Sequence, residues 1–151
     1  MNTNKPKPVP LAMVICDTVI DDRLTGKKSL IGIFNNINTS TLPCRHPSIT
    51  VFCAVTDGTG QYQGVLRCQH LESGKMIMEL KGPIPFPNPL ATIEFHFEIK
   101  NVVFPEAGQY IFELQCDDYI VISRKFSVTK VEPPKNQPPP MDKLPGSSEL
   151  A

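Results

Sequence analysis

Apolar and polar residues alternate with a period of two along most of the chain. The clearest example is the segment 91–100, Ala-Thr-Ile-Glu-Phe-His-Phe-Glu-Ile-Lys, in which odd positions are apolar and even positions are polar. Successive side chains of a strand point to opposite faces of a sheet, so this pattern predicts a strand with one buried face. Similar runs predict eight strands in all, at 11–20, 29–37, 48–56, 62–71, 75–80, 91–100, 109–116 and 119–131.

Turn-forming dipeptides separate several of these runs. Asp57-Gly58, Ser73-Gly74 and Asp117-Asp118 lie between consecutive apolar segments, and such residues accept the positive φ that tight hairpin turns need. No window of about 11 or more residues keeps a helical period. Short strands with turns roughly every 8–12 residues predict an all-β fold, an antiparallel β-sandwich, with a closed barrel as the alternative.

Proline is concentrated at the two ends of the chain. Of 16 prolines in 151 residues, three lie within 1–10 and six within 132–151. Proline removes a backbone donor and these segments offer little to bury, so we expect two disordered tails flanking one domain at 11–131.

Charge and hydropathy exclude two classes of partner. The 15 Lys and Arg residues balance the 15 Asp and Glu residues, whereas a nucleic-acid-binding domain normally carries a basic excess. No stretch approaches the roughly 18–20 consecutive apolar residues of a membrane-spanning helix. We therefore expect neither a nucleic-acid nor a membrane partner.

The five cysteines indicate a reducing compartment. Their number is odd, no pair has C-x-x-C spacing, and the start of the chain lacks the apolar run of a secretory signal. Free buried thiols in the cytoplasm are the prediction, with no cofactor.

Residues 105–112, Pro-Glu-Ala-Gly-Gln-Tyr-Ile-Phe, resemble the tyrosine corner of immunoglobulin-like and fibronectin type III-like sandwiches. The resemblance implies an immunoglobulin-like sandwich in which the Tyr110 hydroxyl bonds back to upstream backbone. Phe112 stands where antibody domains have cysteine, and the chain has no tryptophan. The motif therefore bears on topology and not on function.

Four short motifs, spread over most of the chain, carry a second resemblance. They are Val-Ile-Cys-Asp at 14–17, Leu-Ile-Gly-Ile-Phe at 30–34, G-x-Y-x-F at 108–112 and Arg-Lys-Phe-Ser-Val at 124–128. With these motifs the chain resembles a bacterial domain family of unknown function over about residues 11–131. The resemblance implies a β-sandwich and carries no activity, substrate or functional residue.

Two charged residues occupy positions that the alternation assigns to a buried face. Asp17 shares the parity of Ile15, and Arg124 shares the parity of Phe126. A charge on an inward face needs a partner. Either Asp17 and Arg124 pair with each other or with backbone at the sandwich edge, or a bulge turns each side chain outward.

Two C-x-H pairs, Cys44 with His46 and Cys68 with His70, offer the four ligands of a tetrahedral zinc site. Residues i and i+2 of a strand share a face, so each pair presents sulfur and imidazole together. The competing interpretation is a buried thiol beside a strand-end histidine, since zinc sites usually have tighter spacings.

The segment 82–90, Gly-Pro-Ile-Pro-Phe-Pro-Asn-Pro-Leu, contains four alternating prolines. Such a chain is stiff and extended, so it loses little entropy on binding. One hypothesis makes it a contact loop with Phe86 and Ile84 as apolar anchors and Lys81 and Asn88 as a polar rim. The other makes it a rigid connection with Phe86 packed inward.

No convincing cluster of titratable residues converges in this sequence. The sequence therefore favours a non-catalytic binding or assembly module that contacts a protein partner or a second copy of itself. The alternative is a metal-binding or enzymatic β domain that uses Cys44, His46, Cys68 and His70.

Overall fold

The computed structural model describes residues 4–133, and this part of the chain contains strands but no helix. Residues 134–151, which make up most of the predicted C-terminal tail, and residues 1–3 lie outside the described range. The nine strands are β1 (Val9–Asp21), β2 (Lys28–Ile33), β3 (Asn36–Thr39), β4 (Cys44–Thr56), β5 (Gly60–His70), β6 (Met76–Phe86), β7 (Ile93–Phe104), β8 (Gly108–Cys116) and β9 (Tyr119–Lys130).

The strands form two sheets. One has the order β2-β1-β4-β7 and the other has the order β3-β9-β8-β5-β6. This arrangement confirms the predicted all-β sandwich.

The core lies between the sheets and is built from alternate residues of their central strands. The inward side chains of β4 and β8 are all buried: Ile49, Val51, Cys53 and Val55 on β4, and Tyr110, Phe112, Leu114 and Cys116 on β8. All five cysteines are buried and none forms a disulfide. The period-two pattern thus identifies the buried face of β8 correctly, whereas β4 is buried at both parities from Ile49 to Val55.

The run predicted as one strand at 29–37 is two strands in different sheets. β2 pairs with β1, and β3 pairs in parallel with β9, where Ile37 is the partner of Val128. Gly32 has a φ of 71° near the end of β2, which an L side chain rarely adopts. The chain leaves one sheet after this residue and joins the other.

The proline-rich segment continues β6 instead of forming a loop from residue 82. Pro83 is the partner of Gln63, and Pro85 is the partner of Gln61 on β5. β6 is the last strand of its sheet, and an edge strand tolerates proline because its outer side needs no donor.

The N-terminal segment also differs from the expectation. β1 begins at Val9, and residues 4–8, which composition assigns to a disordered tail, contact the sandwich through Lys5 and Pro6. Their partners are on distant strands, so local composition does not reveal them.

Candidate functional site

The predicted anchors of a contact loop are core residues. Ile84 is 2% exposed and Phe86 is 4% exposed, because both point inward from β6. The Phe86 ring packs edge-on against Tyr62, with 5.5 Å between ring centroids. The hypothesis that these two side chains anchor a partner is therefore wrong, and the inward-packed alternative is right.

The predicted rim residues are exposed but already have local contacts. The Lys81 ammonium lies 3.7 Å from a Glu79 carboxylate oxygen. The Asn88 side-chain oxygen accepts a hydrogen bond from the Leu90 N–H over 3.0 Å, which closes the turn after β6. Lys81 lines a surface cleft with Tyr62 and Pro83, and Ile84 and Phe86 are not among the lining residues of that cleft.

The two cysteine–histidine pairs do not form the zinc site that was the alternative to buried thiols and strand-end histidines. Cys44 and His46 lie on β4, and Cys68 and His70 lie on β5 of the other sheet. Within residues 4–133 no group of three or more His, Cys, Asp or Glu side chains could hold a metal ion. Burial also raises the pKa of Cys68 to about 12, so its thiol resists the deprotonation that metal binding requires.

The His70 ring is committed to structural hydrogen bonds. Nε2 lies 3.1 Å from the Ala107 carbonyl oxygen, which can only accept, so Nε2 carries the proton. Nδ1 then accepts from the Ser73 hydroxyl over 2.9 Å and from the Ser73 N–H over 3.2 Å. His70 therefore joins the β5–β6 turn to the turn before β8.

Asp17 and Arg124 are both exposed, and no ion pair joins them in the described part of the chain. They lie on different sheets, Asp17 on β1 and Arg124 on β9. The ladder between β8 and β9 shifts register between Leu114 and Gln115, three residues from the partner of Arg124. The pairing alternative is therefore wrong, and both side chains face solvent.

Tyr110 is fully buried and has a structural role. Its hydroxyl donates to the Glu106 carbonyl oxygen over 2.5 Å, as the motif at 105–112 predicts. Its ring contacts Phe104 and Phe126 in the core. Burial raises the pKa of the phenol above its ordinary value.

The surface that the sequence did not reveal lies around β2. Ile31 and Ile33 are 45% and 61% exposed on this edge strand. The ladder places Ile31 opposite Thr18 and Ile33 opposite Cys16, and Ile20 lies opposite Ser29 on the same outer face. We call Ile20, Ile31 and Ile33 the isoleucine patch. The signal for this patch in the sequence is the presence of apolar residues at outward positions of β1 and β2.

A polar cleft of about 580 Å³ adjoins the isoleucine patch, and Ile33 lines both. Asp17, Arg45, His46 and Asn38 contribute its polar groups. The Asp17 side chain lies over Gly32, where it leaves no room for a Cβ atom. Sequence reasoning missed Arg45 and Asn38, because neither belongs to a recognisable motif.

The side-chain amide of Asn36, which lines the cleft, joins two strands. The Asn36 Oδ1 accepts from the Ser127 hydroxyl over 2.6 Å and from the Thr129 hydroxyl over 2.7 Å, and its Nδ2 donates to Asn38 over 2.8 Å. These bonds tie β3 to β9. The β2 surface therefore combines exposed apolar side chains with a preformed polar rim.

Comparison with known proteins assigns the chain to a family. A family model of unknown function, DUF6941, matches residues 11–129. The chain belongs to the DUF6941 family. This result confirms the resemblance to a family of unknown function that the sequence motifs carry. No curated protein matches the chain in sequence.

Two solved structures with similar regions are β-glucosidases. The enzyme from Listeria innocua, solved in complex with glucose, has a TM-score of 0.42 at 11% identity over 65% of this chain. The enzyme from Kluyveromyces marxianus has a TM-score of 0.41 at 15% identity over 72% of this chain. The chain spans only 15% and 16% of their lengths.

Within residues 4–133 this DUF6941 member has no helix capable of crossing a membrane.

Proposed function

We propose that this DUF6941 domain is a non-catalytic binding or assembly module that docks a protein surface on the isoleucine patch. The observation that carries the proposal is the contrast between β2 and the other edge strands. An edge strand presents unpaired backbone groups and attracts other strands unless it is protected.

The other three edges of the described sheets each carry a protective feature. β6 contains Pro83 and Pro85. β7 projects Glu94 and Glu98 outward along its length. β3 is only four residues long. Proline, charge and short length are the devices by which natural sheets prevent edge pairing.

β2 lacks such a feature over its last five residues. The segment Ser-Leu-Ile-Gly-Ile at 29–33 contains no proline and no charge. Its exposed isoleucines lie beside the polar cleft, so an apolar centre is bordered by a polar rim, as in protein–protein interfaces. Burying the remaining half of each isoleucine would contribute about 1 kcal/mol, or about 3 kcal/mol for the patch.

The proposal extends to the compartment. Five unpaired cysteines are expected of a protein that works in a reducing environment, so we place this module in the cytoplasm. A metal-dependent function using Cys44, His46, Cys68 and His70 has less support, because both nitrogens of His70 already bond to protein groups.

The test is a charge placed in the isoleucine patch. We expect Ile31→Lys with Ile33→Lys to weaken self-association, or capture of a protein partner from host lysate, by more than about tenfold. Ile120→Lys is the matched control, because Ile120 is 54% exposed on β9 of the other sheet. Analytical ultracentrifugation measures self-association, and quantitative mass spectrometry measures capture. If the double variant behaves like the control in both assays, the patch is not the contact surface.

A further inference from the structure

The chain folds its own N-terminal segment onto one end of the sandwich. We call residues 4–8 the strap. The groups that receive it are Tyr62 and the Gln61 carbonyl on β5, Asp117 in the β8–β9 turn and Tyr119 on β9, which together we call the socket. These groups come from sequence positions more than 50 residues away from the strap.

The Lys5 ammonium has three partners in the socket. Its Nζ lies 2.9 Å from the Asp117 Oδ2 and donates a hydrogen bond to the Gln61 carbonyl oxygen. It also lies 4.4 Å from the centroid of the Tyr62 ring, within the range of a cation–π contact. A carboxylate, a carbonyl and an aromatic face therefore surround one cation.

Two tyrosine hydroxyls bind the strap backbone at consecutive residues. Tyr119 donates to the Lys5 carbonyl oxygen over 3.0 Å, and Tyr62 donates to the Pro6 carbonyl oxygen over 2.7 Å. The Tyr62 hydroxyl also accepts the Thr59 N–H over 3.1 Å, which fixes its orientation. Pro6 has no N–H, so this residue leaves no backbone donor unsatisfied.

The socket is held in place by the sandwich and not by the strap. The Asp117 Oδ1 accepts the Gln63 N–H over 2.9 Å, and the Asp117 carbonyl accepts from the Gln115 side chain over 2.7 Å. Tyr62 is buried and packs against Phe86. A site with fixed donors and acceptors is preorganised, so it keeps its shape when its occupant leaves.

We propose that the socket is a recognition site for a lysine-proline peptide segment, which this chain fills with its own Lys5 and Pro6 and which a Lys-Pro segment of another chain can fill in exchange. The contacts recognise one ammonium group and two successive carbonyls. The same dipeptide recurs at Lys7-Pro8. This site lies on a different surface from the isoleucine patch and goes beyond the proposed function.

The strap competes with any free peptide, because a tethered occupant has an effective concentration on the order of millimolar. The full-length Lys5→Glu variant removes this competitor, since a glutamate would face the Asp117 carboxylate. Lys7→Glu is the matched control, with the same change of charge at an exposed neighbouring lysine. A dye-labelled peptide with the sequence of residues 4–9 is the probe, and fluorescence anisotropy measures its binding.

We expect Lys5→Glu to bind the probe at least about tenfold more tightly than Lys7→Glu or the unaltered chain. Adding Asp117→Asn keeps the acceptor for the Gln63 N–H but removes the charge, so it should weaken binding to Lys5→Glu at least about tenfold. A probe with norleucine in place of both lysines should not bind. A thermal melt of Lys5→Glu within a few degrees of the control shows that the sandwich is intact.

Two results would overturn the proposal. One is equal binding of the probe to Lys5→Glu and Lys7→Glu. The other is binding that survives Asp117→Asn or the norleucine substitution, which would place the peptide elsewhere. If Lys5→Glu melts well below the control, Lys5→Met replaces it as the released form, and the same comparisons apply.

Discussion

Replacing Phe86 by alanine tests whether the proline-rich segment belongs to the core. The ring is almost fully buried between the sheets, contacts Tyr62 edge-on and covers Gly58. An interface anchor would leave stability unchanged on truncation, whereas a core aromatic would not. The structure therefore predicts a large loss of folding free energy.

The expected loss is about 3–5 kcal/mol, the range for phenylalanine truncated to alanine in a core. For a domain of this size, that corresponds to a fall in melting temperature of roughly 10–20 °C. The matched control is Leu90→Ala in the same proline-rich segment, because Leu90 is 89% exposed. We expect that control to stay within about 0.5 kcal/mol.

A second substitution makes the test sharper. A Cβ atom at Gly58 would overlap the Phe86 ring, so Gly58→Ala should destabilise the unaltered chain. With the ring removed, the same substitution should cost at least about 1 kcal/mol less, since residues in direct contact are not additive. Urea denaturation of the unaltered chain, the two single variants and the double variant gives the coupling free energy between Gly58 and Phe86. A loss below about 1 kcal/mol for Phe86→Ala, or strict additivity with Gly58→Ala, would refute this packing.

Three further predictions concern single interactions. Tyr110→Phe should cost about 1–3 kcal/mol in urea denaturation, because it leaves the Glu106 carbonyl without its buried donor; a loss within about 0.5 kcal/mol would contradict this. Thiol reagents should modify all five cysteines after denaturation but react slowly with the folded chain, since burial raises the pKa of Cys53 to about 12 and that of Cys116 to about 11; rapid reaction of the native protein would argue against the burial. Burial alone would raise the pKa of Asp117, but hydrogen bonds from Lys5 and Gln63 lower it below its ordinary 3.8. The stability from this carboxylate is therefore present above pH 3.8 and lost as pH falls through the lower folded value, so Asp117→Asn should flatten the loss of stability in that acid range relative to the unaltered chain.

The sequence predicted the sandwich well because its information is local. The alternation at 91–100 and 109–116 assigns the correct residues to the buried face of β7 and β8. The Tyr110 hydrogen bond spans only four residues, so a short motif could indicate it. Membership of the immunoglobulin-like class stays a prediction.

The errors arise where one strand's environment depends on distant strands. The parity of Asp17 and Arg124 suggested burial, but parity does not say where a sheet edge or a register shift exposes a position. The Asn, Lys and Pro composition of the strap predicts a disordered tail. Its partners, Tyr62, Asp117 and Tyr119, could not be inferred without the fold.

The proline-rich segment shows why sheet position must be considered together with composition. The four prolines at 82–90 predict a contact loop or a rigid connection, yet Pro83 and Pro85 lie in β6, because a proline fits an edge strand whose outer side needs no donor. Their value to the fold is protection: they prevent β6 from pairing with another strand, as charge does on β7. After Lys28, β2 has neither proline nor charge, and it exposes Ile31 and Ile33. A sheet edge without such features can pair with a strand of another chain and so promotes aggregation. The lack of proline and charge after Lys28 of β2 therefore supports our proposal that a protein surface covers the isoleucine patch.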